Sequence, residues 1–392
     1  MIPRSQGRAL VMVLIPTLAA AALACSRERG APALETRVDT AQIDSAATNI
    51  YAAAGANMLS PVARRAVPLV YVPEGLTGRV SVIDPQTYQV TRTFPADTEP
   101  QHVVPGYDLQ TLWVTNDKGN TVTPIDPVTG EPGPNVPVAD PYNLYFTPDG
   151  RFAIVVAERL QRLDFRDPHT MELKASVPVA CPGVDHMEFA AGGGFALATC
   201  EFSGKLLKLD LASQAIVGYL LLDPGGLDSA GMPQDIRSSP DGRTFFVADM
   251  HADGVYLVDP DAFRRVGFIK TGIGTHGIYP SRDGRLLFVS NRGWHSVQGG
   301  PRGPGSITVL DPAARAIVAT WPIPGGGSPD MGNVTADGRE LWLSGRYDSE
   351  VYVLDATTGE LLHRIPVGGG PHGLTVWPQP GRYSLGHTGN MR

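Results

Sequence analysis

The sequence predicts an all-β protein, a seven-bladed β-propeller whose blades are four-stranded antiparallel sheets. Three observations support this fold class: a short segment that recurs seven times, a tight turn after most copies, and two apolar runs after the turn. The copies of the segment begin at Pro100, Pro141, Val184, Pro233, Thr275, Pro329 and Pro371. The second apolar run of each repeat ends in Asp at intervals of about 45 residues, the length of one propeller blade.

Each repeat supplies four predicted strands, counted from the inside of the blade outward. The recurring segment is the first strand, the apolar run after the turn is the second, and the run that ends in Asp is the third. A β-branched run, such as Val90–Phe94, is the fourth. The turns between the first two strands use residue pairs that favour a positive φ. These pairs are Asp149-Gly150, Gly192-Gly193, Asp241-Gly242, Asp283-Gly284 and Asp337-Gly338.

The order of the repeats predicts a closed ring over residues 67–381. The chain enters the first blade at its second strand, near Leu69, and leaves through a first strand, Pro371–Trp377. In a ring the last segment completes the first blade, which protects the strand edges that a linear array would expose. The tail, residues 382–392, contains Arg382–His387, which resembles a further second strand and leaves eight blades open as an alternative.

The N-terminal segment predicts an exported protein. Arg4 and Arg8 precede a short apolar run that ends before Cys25, which is typical of a signal peptide over residues 1–24. A small residue directly before Cys25 also resembles a lipoprotein processing site. We therefore expect a periplasmic or extracellular protein that is held to the membrane only through lipid on Cys25.

Residues 25–66 are rich in Ala, Thr, Ser and Arg and predict a tether between the lipid and the propeller. Part of the tether is expected to form a short helix over 45–58, with Asp44 as its N-cap and an end before Pro61.

Charge and cysteine content restrict the partners and the compartment. The formal net charge is −7, and it becomes more negative once the signal peptide is removed, which argues against nucleic-acid binding. Cys181 and Cys200 flank one predicted hairpin, so a disulfide is expected in an oxidising compartment, with two free buried thiols as the alternative. Such a bond would contribute roughly 3 kcal/mol to stability. The protein is expected to be a monomer.

Several segments resemble the YVTN-repeat (YncE-like) β-propellers. Trp113–Asn116 and Phe288–Asn291 occupy the Tyr-Val-Thr-Asn position, as Tyr71-Val72 does in part, and Val80–Asp84 and Ser239–Arg243 match other recurring pieces of that repeat. The resemblance covers residues 69 to 381. It implies the fold but not a reaction, because related propellers include exported proteins of unknown role, lactonases, and haem- or quinone-associated modules.

The candidate site consists of the polar side chains at first-strand entries and in the loops between second and third strands. These positions share one face of a propeller, around the mouth of its channel, and they carry different ionisable groups in different blades. In any one blade the same side chain could instead bond neighbouring loop amides. The candidate binding residues are His102, Asp185, His186, Glu201, Asp235, Asp249, His276, Arg292, Asp330, Arg346 and His372.

A divalent metal is one candidate cofactor for this face. His276, Asp330 and His372 come from three consecutive blades and form a His/carboxylate set suited to such an ion, with His102 nearby. No short-spaced ligand pair supports the assignment, so the cofactor stays open.

The sequence favours a non-catalytic binding or scaffolding module that holds a small molecule or a protein partner at this face. The alternative is a lactonase-like hydrolase or a haem- or quinone-associated redox auxiliary that uses the same residues. The hydrolase would use Glu201 or Asp249 with His276 as its acid and base, and Arg292 or Arg346 as its cation. No Gly-x-Ser-x-Gly motif or Cys-x-x-Cys-His motif is present. The Gly- and Pro-rich insertion 294–305 is expected to extend over the face.

Overall fold

The computed structural model describes residues 49–223 and 231–392, and these form seven four-stranded antiparallel sheets. The innermost strands of consecutive sheets contact each other, and the last contacts the first, so the sheets are the blades of a closed propeller. The predicted signal peptide, Cys25, Asp44 and most of the tether lie outside the described residues. No helix within the described ranges is long and apolar enough to cross a membrane.

The strands follow the predicted order, four to a blade. Blade 1 contains the first three strands and the last one, and each later blade contains the next four. In chain order they are β1 (Leu69–Glu74), β2 (Arg79–Asp84), β3 (Gln89–Pro95), β4 (Pro100–Pro105), β5 (Leu112–Asn116), β6 (Thr121–Ile125), β7 (Val136–Pro137), β8 (Asn143–Phe146), β9 (Ala153–Ala157), β10 (Arg162–Arg166), β11 (Leu173–Pro178), β12 (Val184–Phe189), β13 (Phe195–Cys200), β14 (Lys205–Asp210), β15 (Ala215–Leu221), β16 (Pro233–Ser238), β17 (Phe245–Asp249), β18 (Gly254–Asp259), β19 (Arg264–Lys270), β20 (Thr275–Pro280), β21 (Leu287–Asn291), β22 (Ser306–Asp311), β23 (Ala316–Pro322), β24 (Pro329–Val334), β25 (Glu340–Gly345), β26 (Glu350–Asp355), β27 (Leu361–Pro366) and β28 (Thr375–Trp377).

Ring closure is confirmed by the pairing of the two ends of the propeller. β28 lies antiparallel to β1, with Val70 opposite Val376 and Tyr71 opposite Thr375. Second strands such as β5 and β17 are buried along their whole length because they pack against blades on both sides. Outermost strands such as β15 alternate between partly buried and exposed residues, which is the pattern of an edge with one face in water.

Glycine supplies the positive φ at the predicted hairpins between first and second strands. In the hairpin of blade 3, Gly150 has φ +69°, and Gly193, Gly242, Gly284 and Gly338 have φ between +70° and +82°. In most of these turns the preceding Asp accepts hydrogen bonds from residues of the same turn. Asp149 Oδ1, for example, accepts from Thr147 Oγ1 and from Arg151 N–H. These carboxylates are therefore structural.

The Asp at the end of the third strand also serves a turn, with one exception. Asp355 Oδ1 accepts hydrogen bonds from the backbone N–H groups of Thr357 and Thr358. In blade 3 the sequence assigns this role to Asp164, but Asp167 performs it, accepting from the backbone of His169 and Thr170. Asp164 is instead buried between arginines, because blade 3 continues its third strand two residues further, to Arg166.

The C-terminal tail forms no eighth blade. It enters the channel from the end opposite the candidate site and bonds to the inner strands of several blades. Leu385 O accepts from Phe146 N–H in blade 3, and Thr388 Oγ1 donates to Gly332 O in blade 7. The tail pairs with inner strands, not beside an outer edge, so it fills the channel without extending the ring.

The segment before the propeller crosses the same end of the molecule. Residues 49–58, where the sequence predicts the second part of a helix, form successive turns instead. Asn57 there has a positive φ and donates its backbone N–H to Ala336 O in blade 7, a contact incompatible with a continuing helix. A 3₁₀ turn, Ala63–Arg65, follows. In blade 4 a disulfide joins Cys181 and Cys200, whose Cα atoms are 5.9 Å apart.

Candidate functional site

Four histidines from four blades form a ring of side chains across the channel. They are His102, His186, His276 and His372, each on or just before an innermost strand, and each is at most 1% exposed. The ring centroids are separated by 5.7 Å for His102 and His186, 6.3 Å for His186 and His276, 5.8 Å for His276 and His372, and 4.8 Å for His372 and His102. The structure therefore brings together the four histidines among the candidate binding residues.

A fifth histidine, His387, joins the ring from the C-terminal tail. Its centroid lies 4.8 Å from that of His186 and 5.3 Å from that of His102, and its side chain is fully buried. The sequence did not identify His387 as a site residue, because His387 ends the tail segment that resembles a further second strand and is not at a first-strand entry. Only the path of the tail into the channel places it beside the other four.

Asp330 is the charged centre on one side of this ring. Its two carboxylate oxygens face His276 Nδ1 at 2.9 Å and His372 Nδ1 at 2.7 Å, and Arg292 Nε donates to Oδ1 at 2.6 Å. Burial alone would raise the pKa of Asp330, but Arg292 and the two histidines hold it well below its usual range. Asp330 is therefore an anion that is hydrogen-bonded to His372 and Arg292 and in close contact with His276.

The histidines themselves are held in the neutral form. Burial lowers the pKa of His102 to about 3 and, with help from Arg292, that of His276 to about 4. Burial also lowers the pKa of His186, His372 and His387 well below the usual value. Neutral imidazoles retain a ring nitrogen that accepts a proton or binds a metal.

Carboxyl groups lie on the other side of the ring. Asp185 Oδ1 is 3.1 Å from His186 Nε2, and Glu201 Oε1 accepts a hydrogen bond from Gln234 Nε2 at 2.9 Å. Burial and the neighbouring Glu201 raise the pKa of Asp185 well above its usual range, and burial also raises the pKa of Glu201. In the half-buried Glu158 the same two causes raise the pKa to about 8. The acids on this side of the channel thus have raised pKa values, in contrast to Asp330.

Two other candidate residues, Asp249 and Asp235, have different surroundings. Asp249 Oδ1 accepts backbone hydrogen bonds from Met232, His251 and Ala252, so it shapes a loop. Asp235 is buried in the channel, where it accepts from Ile278 N–H and pairs with Arg237 at 3.2 Å.

Arg346 is half-buried at the mouth, where its Nη1 lies 3.4 Å from Gln101 Oε1. It is the candidate cation with the most room for a ligand, because Arg292 is buried and already paired with Asp330.

The insertion 294–305 lies over the mouth, in the loop between β21 and β22. Trp294 stacks on Tyr347 of blade 7 at a centroid distance of 3.8 Å, and His295 Nε2 lies 2.7 Å from Asp253 of blade 5. The insertion thus contacts both neighbouring blades. A cavity of about 430 Å³ lies elsewhere, between blades 5 and 6, and its lining includes Asp241 and Arg315 but no candidate residue.

Comparison with known proteins gives relatives that match in sequence and relatives that match in fold. A 6-phosphogluconolactonase of Sodalis glossinidius is 31% identical over 171 residues, which cover 40% of this chain and 49% of the relative. The chain therefore spans about half the length of that curated relative.

Two solved structures share the fold at low identity. The periplasmic gluconolactonase PpgL of Pseudomonas aeruginosa has a TM-score of 0.64 and 17% identity, covering 80% of this chain and 99% of its own. The dihydro-heme d1 dehydrogenase NirN, solved in complex with DHE, has a TM-score of 0.58 and 16% identity, covering 81% and 75%.

The sequence put a non-catalytic module first, whereas these relatives are named as two lactonases and a dihydro-heme d1 dehydrogenase. The likeness to the two structures shows the fold alone. The family itself is decided by a family model that describes a YncE-like β-propeller and matches residues 41–380. The chain belongs to the YncE-like β-propeller family, as its repeats indicate.

Proposed function

We propose that the chain hydrolyses cyclic esters, or lactones, at the mouth of its channel, with water as the nucleophile. The observation that carries the proposal is the buried Asp330, which holds the Nδ1 side of His372 in a hydrogen bond of 2.7 Å. A carboxylate in this position keeps the ring proton on Nδ1 and leaves Nε2 as the proton acceptor.

The step needs only groups that the site and water supply. His372 Nε2 accepts a proton from water as the water oxygen bonds to the lactone carbonyl carbon. The ring C–O ester bond then breaks, and the alkoxide takes the proton back from Nε2. The products are a hydroxycarboxylate and one proton in solution.

Arg346 is proposed to stabilise the negative charge that forms on the carbonyl oxygen. Arg346 is half-buried. It is close enough to His372 to lower the pKa of that histidine, and burial is the larger cause of the same shift. A cation held near a developing oxyanion, in a site with little water, lowers the barrier more than it would in bulk solvent.

Two considerations support hydrolysis over simple binding. Relatives named as lactonases share the family or the fold with this chain. A water nucleophile also removes the need for a serine or cysteine nucleophile, for which the sequence has no recognisable motif.

The purified chain is expected to accelerate the opening of glucono-1,5-lactone or its 6-phosphate. Acid release at near-neutral pH measures the reaction, with the spontaneous rate under the same conditions subtracted. A ligand-binding measurement with both lactones accompanies the assay. Binding without acceleration would contradict hydrolysis and support the binding module, whereas neither binding nor acceleration would remove lactones from consideration.

We also propose that the mature protein is exported and lipidated on Cys25. The motif before Cys25 motivates this, and the disulfide between Cys181 and Cys200 fits an oxidising compartment. Replacing Cys25 with Ala is expected to move the protein from the membrane fraction to the soluble fraction, because the lipid is the proposed anchor. Metabolic labelling with a fatty acid measures the lipid directly, and undiminished labelling of Cys25→Ala would refute the assignment.

A further inference from the structure

Three of the channel histidines bring ring nitrogens together at one point. His102, His186 and His387 each offer a nitrogen, and these atoms all lie within 4.8 Å of one another. All three side chains are fully buried. Among the described residues, no other group of three metal-binding side chains is this close.

The Nε2 atoms of these rings have no hydrogen-bond partner. His102 Nδ1 lies 2.9 Å from Tyr142 O, and since a carbonyl oxygen only accepts, Nδ1 carries the proton and Nε2 holds a free lone pair. Leaving a polar atom buried and unpaired costs about 1–3 kcal/mol. A metal ion bonded to these nitrogens would remove that cost.

We propose that His102, His186 and His387 bind one divalent transition-metal ion, with one of the three ligands supplied by the C-terminal tail. Neutral imidazole is a preferred ligand of Zn²⁺ and Cu²⁺, and sets of three histidines leave a coordination position open. Two acidic residues border the cluster: Asp235 lies 3.9 Å from His387 Nε2, and Asp185, which would have to lose its proton to balance the charge of the ion, lies 3.1 Å from His186 Nε2. This set differs from His276, Asp330 and His372, in which Asp330 already bonds to His372 and Arg292.

Asn143 provides the support behind two of the ligands. Its Nδ2 lies 3.1 Å from His186 Nδ1 and 3.0 Å from His387 Nδ1, while its Oδ1 accepts from Leu144 N–H. Coordination through Nε2 requires both Nδ1 atoms to carry protons. Rotating the Asn143 side-chain amide by 180° places Oδ1 where the Nδ1–H groups of His186 and His387 can both donate to it. This rotation breaks the hydrogen bond from Leu144 N–H. Oxygen acceptors of this kind commonly orient metal-bound histidines.

The tail holds its ligand in a fixed position. His387 donates its backbone N–H to Leu144 O at 2.8 Å, and the next residue, Thr388, donates its hydroxyl to Gly332 O at 3.1 Å. His387 also has a positive φ of 51°, a backbone conformation that non-glycine residues adopt mainly where their surroundings enforce it. The site is thus built from three separate parts of the chain.

The test measures metal and not hydrolysis, so it is independent of the proposed function. The purified chain is stripped with a chelator, equilibrated separately with Zn²⁺ and with Cu²⁺, freed of excess ion and measured by elemental analysis. We expect one ion per chain for at least one metal and a loss of that ion in His387→Gln. The matched control, His169→Gln, removes an exposed histidine and is expected to keep it.

Failure of the unmodified chain to retain either ion would overturn the proposal, as would full retention by a folded His387→Gln variant. Because loss of His387 could also loosen the tail, Asn143→Asp is the second variant. Its carboxylate accepts from both Nδ1–H groups and is expected to tighten metal binding about tenfold. Binding by Asn143→Asp that is no tighter than that of the unmodified chain would contradict the proposed coordination through Nε2.

Discussion

Replacing Arg392 with Ala is expected to lower the free energy of unfolding by about 3 kcal/mol. Arg392 Nη2 donates to Glu188 Oε1 at 2.7 Å at the tail end of the channel, where the Glu188 side chain is fully buried and that of Arg392 is 8% exposed. Removing the cation leaves a buried carboxylate without its ion-pair partner. The expected loss lies at the low end of the range for such pairs, because Asn390 Nδ2 and Phe189 N–H still donate to the same oxygen.

Arg392 also joins the C-terminal tail to the segment before the propeller. Its guanidinium lies 4.8 Å from the centre of the Tyr51 ring, and Tyr51 donates its hydroxyl to Ser238 O in blade 5. The substitution therefore weakens the packing of the segment before the propeller as well as the tail. We expect a lower midpoint of denaturation with a single cooperative transition.

Denaturant unfolding followed by tryptophan fluorescence measures this change. The control is Arg285→Ala, which removes an ion pair with Asp283 at a side chain that is 84% exposed, and its expected effect is within about 0.5 kcal/mol. Combining Arg392→Ala with Glu188→Gln completes a double-mutant cycle. Equal losses for the Arg392 variant and the control, or additive effects in the cycle, would show that the tail is not anchored through this pair.

Replacing His372 with Gln is expected to lower the kcat of lactone hydrolysis by a factor of about 10² to 10⁴, the usual contribution of a general base. Of the two histidines beside Asp330, His372 makes the aligned hydrogen bond, whereas His276 Nδ1 lies 2.9 Å away without hydrogen-bond geometry. His372 is therefore the better oriented base. His276→Gln is expected to have a smaller effect on kcat than His372→Gln.

Steady-state kinetics of the two variants, with His169→Gln as the exposed control, tests this assignment. A base acts on the chemical step, so His372→Gln is expected to lower kcat with little change in KM. A change confined to KM would assign His372 to binding, and a kcat equal to that of the unmodified chain would eliminate it as the base. Circular dichroism and the unfolding midpoint establish that each variant is folded.

The fold could be predicted because its determinants are local and repeated. The Asp-Gly pairs require a positive φ wherever they occur, and the apolar runs need two buried faces. The position of Pro371–Trp377 then implied closure, since β1 would otherwise leave an open edge. The same local reasoning failed at Asp164, because the choice between a turn and a buried ion pair depends on where blade 3 ends its strand.

The sequence by itself determined seven blades, their closure and the face on which His102, His186, His276 and His372 meet. Only the tertiary structure decided that Asp330 bonds to His372 and lies against His276, and that His387 completes a cluster with the other two histidines. The physical reason is distance along the chain. Strand pairing and turns are set by neighbouring residues, whereas the channel collects side chains from blades far apart in sequence and a tail that belongs to no repeat.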